Sequence, residues 1–288
     1  MNIKLIADSA CDIEPKIAEE LGITILPVSV NSNGNTYRDN VDIFAEDIYK
    51  RMRAGEIFKT SQITLNAYDE IFKKCAAQNI PVLCLTMSSG ISGTYKTCIG
   101  AADMIKEESP DFKISVVDSK AATFGYALIL YRLAEKLKTD VTLEEITEFA
   151  NNLVDSVRHV FTVGEMEFLY RGGRISRTAS VIGSALNIKP MLIIDKDGYL
   201  KVKDRARGEK KLLLSVLKYI ESETNGKDIS GQTVFLNCGD DDSFLNTLKE
   251  TIMEKYGVTK FVTGKVGPTI VAHTGPTFTG VFFLSENI

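Results

Sequence analysis

The chain has 288 residues, of which 44% are hydrophobic and 25% are charged, and its formal net charge at pH 7 is −4. These values are typical of a globular protein with two domains or one large one. A chain of this length can bury a sizeable core without disulfides or metals. The slightly acidic balance argues against nucleic acid as the main partner.

No membrane span is expected. Apolar stretches such as 81–87 and 127–130 are far shorter than the roughly 18 residues that a spanning helix requires. The first eight residues resemble a β-strand rather than the apolar region of a signal peptide. We therefore predict a cytoplasmic protein.

Cysteine and histidine usage argues against a metal centre. The chain has five cysteines without a Cys-x-x-Cys pair, and its two histidines are His159 and His273. Zinc sites and disulfide frameworks need more regular sets of these residues. We expect reduced thiols, no metal and no cofactor.

Strand and helix patterns alternate in the first half of the chain. Short apolar runs predict strands at 3–7, 23–30, 80–87 and 113–118, and helical spacing predicts helices at 15–21, 44–54, 67–77, 93–106 and 123–137. The polar segment 58–62 is predicted to be a connecting loop. This order is typical of an α/β domain with a parallel, Rossmann-like sheet covered by helices on both faces.

The second half has a different pattern. A capping box at Thr142 and Glu145 starts a helix over 142–154. Further patterns predict a strand at 160–163, a hairpin at 189–202, helices at 209–223 and 243–256, and strands at 233–237 and near Phe261, Ile270 and Val281. We predict a C-terminal mixed α/β domain and place the domains at 1–156 and 157–288.

The turn from Ser88 to Thr94 is the strongest local candidate for a binding site. It follows the predicted strand 80–87, and ligands of open α/β sheets bind at the carboxyl ends of strands. Its glycines, hydroxyls and free N–H groups at a helix start favour an anion. Because the turn has no lysine or arginine, a carboxylate fits better than a triphosphate. A well-capped helix with no ligand explains the turn equally well.

Other candidates also have two interpretations. Thr60 either lies in a simple connection or joins Ser92 at the sheet edge. His273 lies at the predicted strand end before a Gly-Pro turn, where it is either structural or ligand-binding; His159, in an apolar run, is interpreted as structural. Arg174, Arg205 and Arg207 either stabilise the end of a helix, where positive charge is favourable, or form a basic rim near the anion site or a docking surface.

Five segments, taken in order along the chain, resemble the DegV family. They are 6–12 (Ile-Ala-Asp-Ser-Ala-Cys-Asp), 60–62 (Thr-Ser-Gln), 88–94 (Ser-Ser-Gly-Ile-Ser-Gly-Thr), 172–175 (Gly-Gly-Arg-Ile) and 272–276 (Ala-His-Thr-Gly-Pro). Ile63 departs from the proline that is frequent after the second segment. The resemblance implies two α/β domains with a fatty acid in a tunnel between or within them, and a carboxylate that meets Thr60, Ser92 and His273, supported by N–H groups near Gly93.

The same resemblance implies a lipid-binding role without catalysis by the protein alone. The partners would be a long-chain fatty acid such as palmitate and a separate ATP-dependent fatty acid kinase. Two alternatives remain open: a small-molecule kinase subunit or transferase similar to dihydroxyacetone kinases, with His273 handling a carbonyl, and a hydrolase with Ser92 as nucleophile.

Overall fold

The computed structural model describes residues 3–177 and 187–288, and it confirms the predicted α/β fold class. The strands of the first half are β1 (Lys4–Asp8), β2 (Ile23–Leu26), β3 (Ser29–Ser32), β4 (Asn35–Arg38), β5 (Lys59–Ser61), β6 (Val82–Thr86) and β7 (Ile114–Asp118). The helices are α1 (Pro15–Glu20), α2 (Ala45–Arg53), α3 (Leu65–Ala77), α4 (Thr94–Glu108), α5 (Thr123–Lys136) and α6 (Leu143–Ser156), with a 3-10 turn at Ser9–Cys11.

The second half has strands and helices in a less regular order. Its strands are β8 (Val157–Val163), β9 (Ile188–Ile194), β10 (Leu200–Arg207), β11 (Thr233–Cys238), β12 (Lys260–Lys265) and β13 (Phe278–Leu284). Its helices are α7 (Met166–Arg171), α8 (Glu209–Glu223), α9 (Ser243–Tyr256) and α10 (Pro268–Thr274). Among the helices of the described residues, we find none with the length and hydropathy of a membrane span.

A four-stranded parallel sheet forms the centre of the first half, in the order β2-β1-β6-β7. All five residues of β6 are buried, because helices cover both faces of a parallel sheet. The strand therefore ends in the interior, and the Ser-Gly turn that follows it lies at the carboxyl edge of the sheet.

A small antiparallel sheet, β4-β3-β5, corrects two expectations. The predicted strand 23–30 is two strands in different sheets, β2 and β3, separated around Pro27, which has no N–H to donate to a ladder. The predicted loop 58–62 contains β5, in which Thr60 pairs with Val30 of β3. A three-residue polar edge strand has no alternating apolar pattern from which it could have been recognised.

The second half contains a six-stranded mixed sheet in the order β10-β9-β8-β13-β11-β12. Neighbouring strands in this sheet are antiparallel except for β11 and β12, which are parallel. This agrees with the predicted mixed α/β domain with antiparallel pairing. The capping box before α6 is also confirmed: the Thr142 hydroxyl accepts from the Glu145 N–H at 3.2 Å, and the Glu145 carboxylate accepts from the Thr142 N–H at 2.8 Å.

The predicted strand near Ile270 is wrong, because this segment is helix α10. The run of β-branched residues favours a strand by propensity, but Pro268 at the first helical position has a φ suited to a helix. Gly275, with φ 74°, ends the helix. His273 therefore lies in the last turn of a helix rather than at a strand end.

The two halves share one continuous hydrophobic core. Helix α5 packs against β8, β11 and β13 of the second half, and its Phe124 and Tyr131 rings meet Phe235 of β11 edge-on, with centroid separations of 6.0 and 5.2 Å. Each sheet contains strands from only one side of residue 156. The hydrophobic core, in contrast, contains residues from both sides. The domain boundary stays a prediction.

His159 lies in this core, 2% exposed, and its burial, followed by the charge of Arg158, lowers its pKa from 6.5 to about 3. The folded protein thus keeps the imidazole neutral, whereas the unfolded chain takes up a proton below pH 6.5. We expect the unfolding free energy of the wild type to fall by about 2 kcal/mol relative to His159→Gln between pH 7 and pH 5. Urea unfolding of both proteins at pH 7 and pH 5 measures these free energies. The same difference between wild type and variant at the two pH values would contradict the prediction.

Candidate functional site

A cavity of about 330 Å³ lies between the two halves of the chain. Its walls are mainly apolar and come from both halves, with Met87, Ile91, Phe161, Leu169, Ile194 and Phe278 among them. All four residues that the sequence singled out, Thr60, Ser92, Gly93 and His273, line this same cavity. The tunnel that the resemblance implies stays a prediction.

Thr60 and His273 are in direct contact. The Thr60 Oγ1 lies 2.7 Å from the His273 Nε2, a hydrogen bond between β5 and α10. Burial, followed by the nearby charge of Arg174, lowers the pKa of His273 from 6.5 to about 3. The imidazole is therefore neutral at pH 7, so that one ring nitrogen donates and the other accepts.

Ser92 and Gly93 form the start of α4. The Ser92 hydroxyl accepts from the Thr94 N–H at 3.2 Å and lies 2.9 Å from the Thr94 hydroxyl. Gly93 occupies the N-cap position, and the side-chain amide of Gln62 fills the space that a Cβ there would need. A Cβ at Gly93 would displace the end of this exposed side chain. Of the N–H groups in the first turn, that of Thr94 is taken up by Ser92, and the start of the helix still favours an anion.

The Ser-Gly turn is held by the hairpin turn between β9 and β10. The Ser88 hydroxyl donates to the Gly198 carbonyl at 2.8 Å. A Cβ on Gly90 would lie 2.5 Å from the same oxygen. Backbone from the second half therefore packs directly on the predicted anion site of the first half.

Arg174 is the one charged side chain among the described residues that line the cavity. Its Nε donates to the Ile91 carbonyl at 3.0 Å and one terminal nitrogen donates to the Gly172 carbonyl at 2.5 Å. Within the described part of the chain no carboxylate pairs with it, and burial lowers the pKa of its guanidinium. In the sequence, Arg174 was noticeable only as an arginine after two glycines. That pattern fits a basic rim beside an anion site and a helix end equally well. Arg205 and Arg207 are exposed on β10 and do not line the cavity.

A second cavity, of about 340 Å³, lies on the other side of the Thr60–His273 pair. It shares Thr60, Arg174 and His273 with the first cavity and adds Lys59, Arg171 and Glu56. The first cavity is mainly apolar, whereas the second has three cations and one carboxylate on its walls. In the described residues no group of three or more His, Cys, Asp or Glu side chains is arranged to hold a metal ion.

Comparison with known proteins identifies the family. The model of the DegV family of uncharacterised proteins matches residues 2–286. A DegV domain-containing protein of Caldanaerobacter subterraneus subsp. tengcongensis is 32% identical over 281 residues, which are 98% of each chain.

Solved structures agree over nearly the full length. A stearic acid-binding protein of Eubacterium ventriosum is 30% identical with a TM-score of 0.88, covering 98% of each chain. A fatty acid-binding DegV family protein of Thermus thermophilus is 28% identical with a TM-score of 0.86, covering 98% of this chain and 99% of that one. The present chain therefore belongs to the DegV family.

Proposed function

We propose that this protein binds a long-chain fatty acid, with the acyl chain in the apolar cavity and the carboxylate at Thr60, Ser92, Gly93 and His273. The observation that carries the proposal is the pairing of a mainly apolar cavity with one hydroxyl–imidazole contact and one arginine on its wall. Two relatives of the same fold carry fatty acids or bind them, which supports the same ligand class here.

The polar residues of the cavity match the needs of a carboxylate. A buried carboxylate is stable only with hydrogen-bond donors around it. Thr60 and a neutral His273 are hydrogen-bonded to each other, so this pair donates one hydrogen bond to the carboxylate, from the Thr60 hydroxyl when His273 donates its Nε2–H to Thr60. Ser92 can donate a second, and Arg174 supplies the compensating charge. Each buried CH₂ of the acyl chain would then add roughly 0.8 kcal/mol to the affinity.

We further propose that the bound carboxylate is presented to a separate ATP-dependent fatty acid kinase. The second cavity meets the headgroup residues Thr60 and His273 from outside the acyl site, and its walls carry three cations and the carboxylate of Glu56. A carboxylate oxygen would attack the γ-phosphorus of ATP on the kinase; the new O–P bond would replace the bond to the β–γ bridging oxygen, and ADP would leave. The present chain supplies binding and orientation in this scheme.

Native mass spectrometry of the purified protein tests the binding proposal. We expect an adduct with the mass of a fatty acid, and saturable binding of palmitate to protein from which that ligand has been extracted. Methyl palmitate is the matched control, because it has the same chain without the charged headgroup and should bind at least tenfold more weakly. A bare mass together with no binding of added palmitate would refute the proposal.

A further inference from the structure

The Asp8–Asp12 segment has no role in the site described above, although it forms a cluster of buried acids with Asp39. Asp8, Asp12 and Asp39 are 0%, 6% and 1% exposed, and within the described residues none of them forms an ion pair. Burial raises the pKa of Asp8 and of Asp39 from 3.8 to about 6 and that of Asp12 well above its ordinary value. Uncompensated burial of this kind is costly, so the contacts of the cluster need an explanation.

Asp39 connects the first half of the chain to helix α10. Its Oδ2 accepts from the Ser9 hydroxyl at 2.8 Å, from the Thr269 hydroxyl at 2.5 Å and from the Thr269 N–H at 3.3 Å. Its other oxygen is buried without a partner. One carboxylate oxygen thus holds the first turn of α10.

Thr269 and His273 lie on the same face of α10, because they are four residues apart. The helix is consequently held twice on that face: by Asp39 at its first turn and by Thr60 at its last turn. A shift at the first contact would move the imidazole at the second.

The two contacts are joined through the strands of the first half. The Val28 N–H donates to the Ser9 hydroxyl at 3.0 Å, and the Asp39 N–H donates to the Val28 carbonyl at 2.9 Å. Two residues later, Val30 pairs with Thr60 across β3 and β5. The contacts therefore form a closed ring that begins and ends at Asp39 and passes through the His273–Thr60 bond.

We propose that Asp39 is a positioning residue of the headgroup site, holding α10 at Thr269 so that His273 stays within hydrogen-bond reach of Thr60. This inference builds on the proposed fatty acid function, and it adds proton linkage to it. Protonation removes the negative charge of Asp39, so the hydrogen bonds from the Ser9 and Thr269 hydroxyls lose their charge-assisted strength. Affinity for the carboxylate then falls as the pH drops through the range where Asp39 titrates.

The arginine next to Asp39 in the chain, Arg38, is exposed and paired with Asp42. The other groups that surround Asp39 or face its contacts on α10 are Asp8 at the end of β1, Cys11 in the 3-10 turn, Asp12 directly after that turn, Tyr49 of α2, and His273 at the far end of α10. Asp8 and Asp12 repel an ionised Asp39, and Asp12 also accepts from the backbone N–H of Gly267, the N-cap residue of α10. Asp39 is the acid of this cluster that bonds the Thr269 side chain, on the face of α10 that carries His273.

A matched pair at Thr269 tests the positioning role. Thr269→Ser keeps the hydroxyl and should bind palmitate within twofold of the wild type at pH 7.5. Thr269→Val has the same shape without the hydroxyl; we expect about tenfold weaker binding and a changed ¹⁵N resonance of the His273 ring. Equal affinity and an unchanged resonance in the valine variant would overturn the proposal.

The proton linkage is tested with Asp39→Asn. The affinity ratio between pH 7.5 and pH 5.5 should be about fivefold larger for the wild type than for this variant, because the amide does not titrate. Gln232→Leu is the control for lost stability, since Gln232 bonds the backbone of Leu284 in β13 and neither residue lines the cavity; its affinity ratio should match the wild type. Identical ratios for Asp39→Asn and the wild type would refute the linkage.

These experiments separate the two proposals. If the wild type fails to bind palmitate at all, the proposed function is wrong, yet the His273 resonance still reports on the Asp39–Thr269 contact in the free protein. If palmitate binds but neither affinity nor resonance responds to Thr269→Val, only the positioning role is wrong.

Discussion

Palmitate should bind about a hundredfold more weakly when Thr60 is replaced by valine and Ser92 by alanine in the same chain. Both hydroxyls line the cavity, and each would donate to a charged carboxylate. Hydrogen bonds to charged groups contribute about 1.5–3 kcal/mol each, so two of them at the lower end of this range account for roughly 3 kcal/mol, or two orders of magnitude in Kd. Valine keeps the shape of Thr60, which limits other changes.

The control for this experiment exchanges the two hydroxyl residues, with Thr60→Ser and Ser92→Thr, and should retain most of the affinity. Methyl palmitate should respond little to the double substitution, because its ester cannot use charge-assisted donors fully. Isothermal titration calorimetry measures the affinities of palmitate and methyl palmitate for the wild type and for the double variant. Unchanged palmitate affinity in the double variant would reject the headgroup assignment while leaving fatty acid binding itself intact.

Gly90→Ala should destabilise the folded protein by about 2–3 kcal/mol, because the extra methyl group would be forced against closely packed backbone. The new Cβ would lie 2.5 Å from the Gly198 carbonyl oxygen and 3.0 Å from the Tyr199 nitrogen. Both atoms belong to a backbone turn closed by the Gly198 N–H donating to the Asp195 carbonyl at 2.9 Å. The turn cannot give way as a flexible side chain would.

Gly100→Ala, in the middle of α4, is the matched control. Its nearest neighbour would be a Leu65 methyl group at 3.7 Å, an ordinary contact, and alanine is favoured over glycine in a helix by about 1 kcal/mol. We therefore expect this variant to be slightly more stable than the wild type. Urea unfolding measures the free energy of unfolding of both variants. A Gly90→Ala protein as stable as the wild type would show that the contact with Gly198 is not rigid.

Periodic patterns in the sequence predicted the elements whose burial is strongest. The apolar run of β6 and the capping box of α6 each rely on short-range chemistry that a single sequence displays. The segment at Ile270 is a helix and not the expected strand, because Pro268 suits a helix start and outweighs the strand propensity of the β-branched residues that follow it. Strand β5 was not predicted because it forms by pairing with Val30, a long-range contact that cannot be recognised from three polar residues.

The candidate site was predictable to a similar degree. Thr60, Ser92, Gly93 and His273 could be named, and the structure brings them to one cavity. The hydrogen bond of Thr60 to His273 and the access of Arg174 to the cavity depend on tertiary packing between the halves, which composition and spacing do not encode. The buried contacts of Asp39 were not foreseen at all, because an aspartate after a strand normally indicates an exposed turn.

The contact between Thr60 and His273 joins residues 213 positions apart in the chain. The headgroup site therefore cannot exist on a growing polypeptide until the ribosome has passed helix α10 and that segment has docked. Under the proposed function, a fatty acid would therefore meet its full set of headgroup contacts only after synthesis of the chain has passed α10.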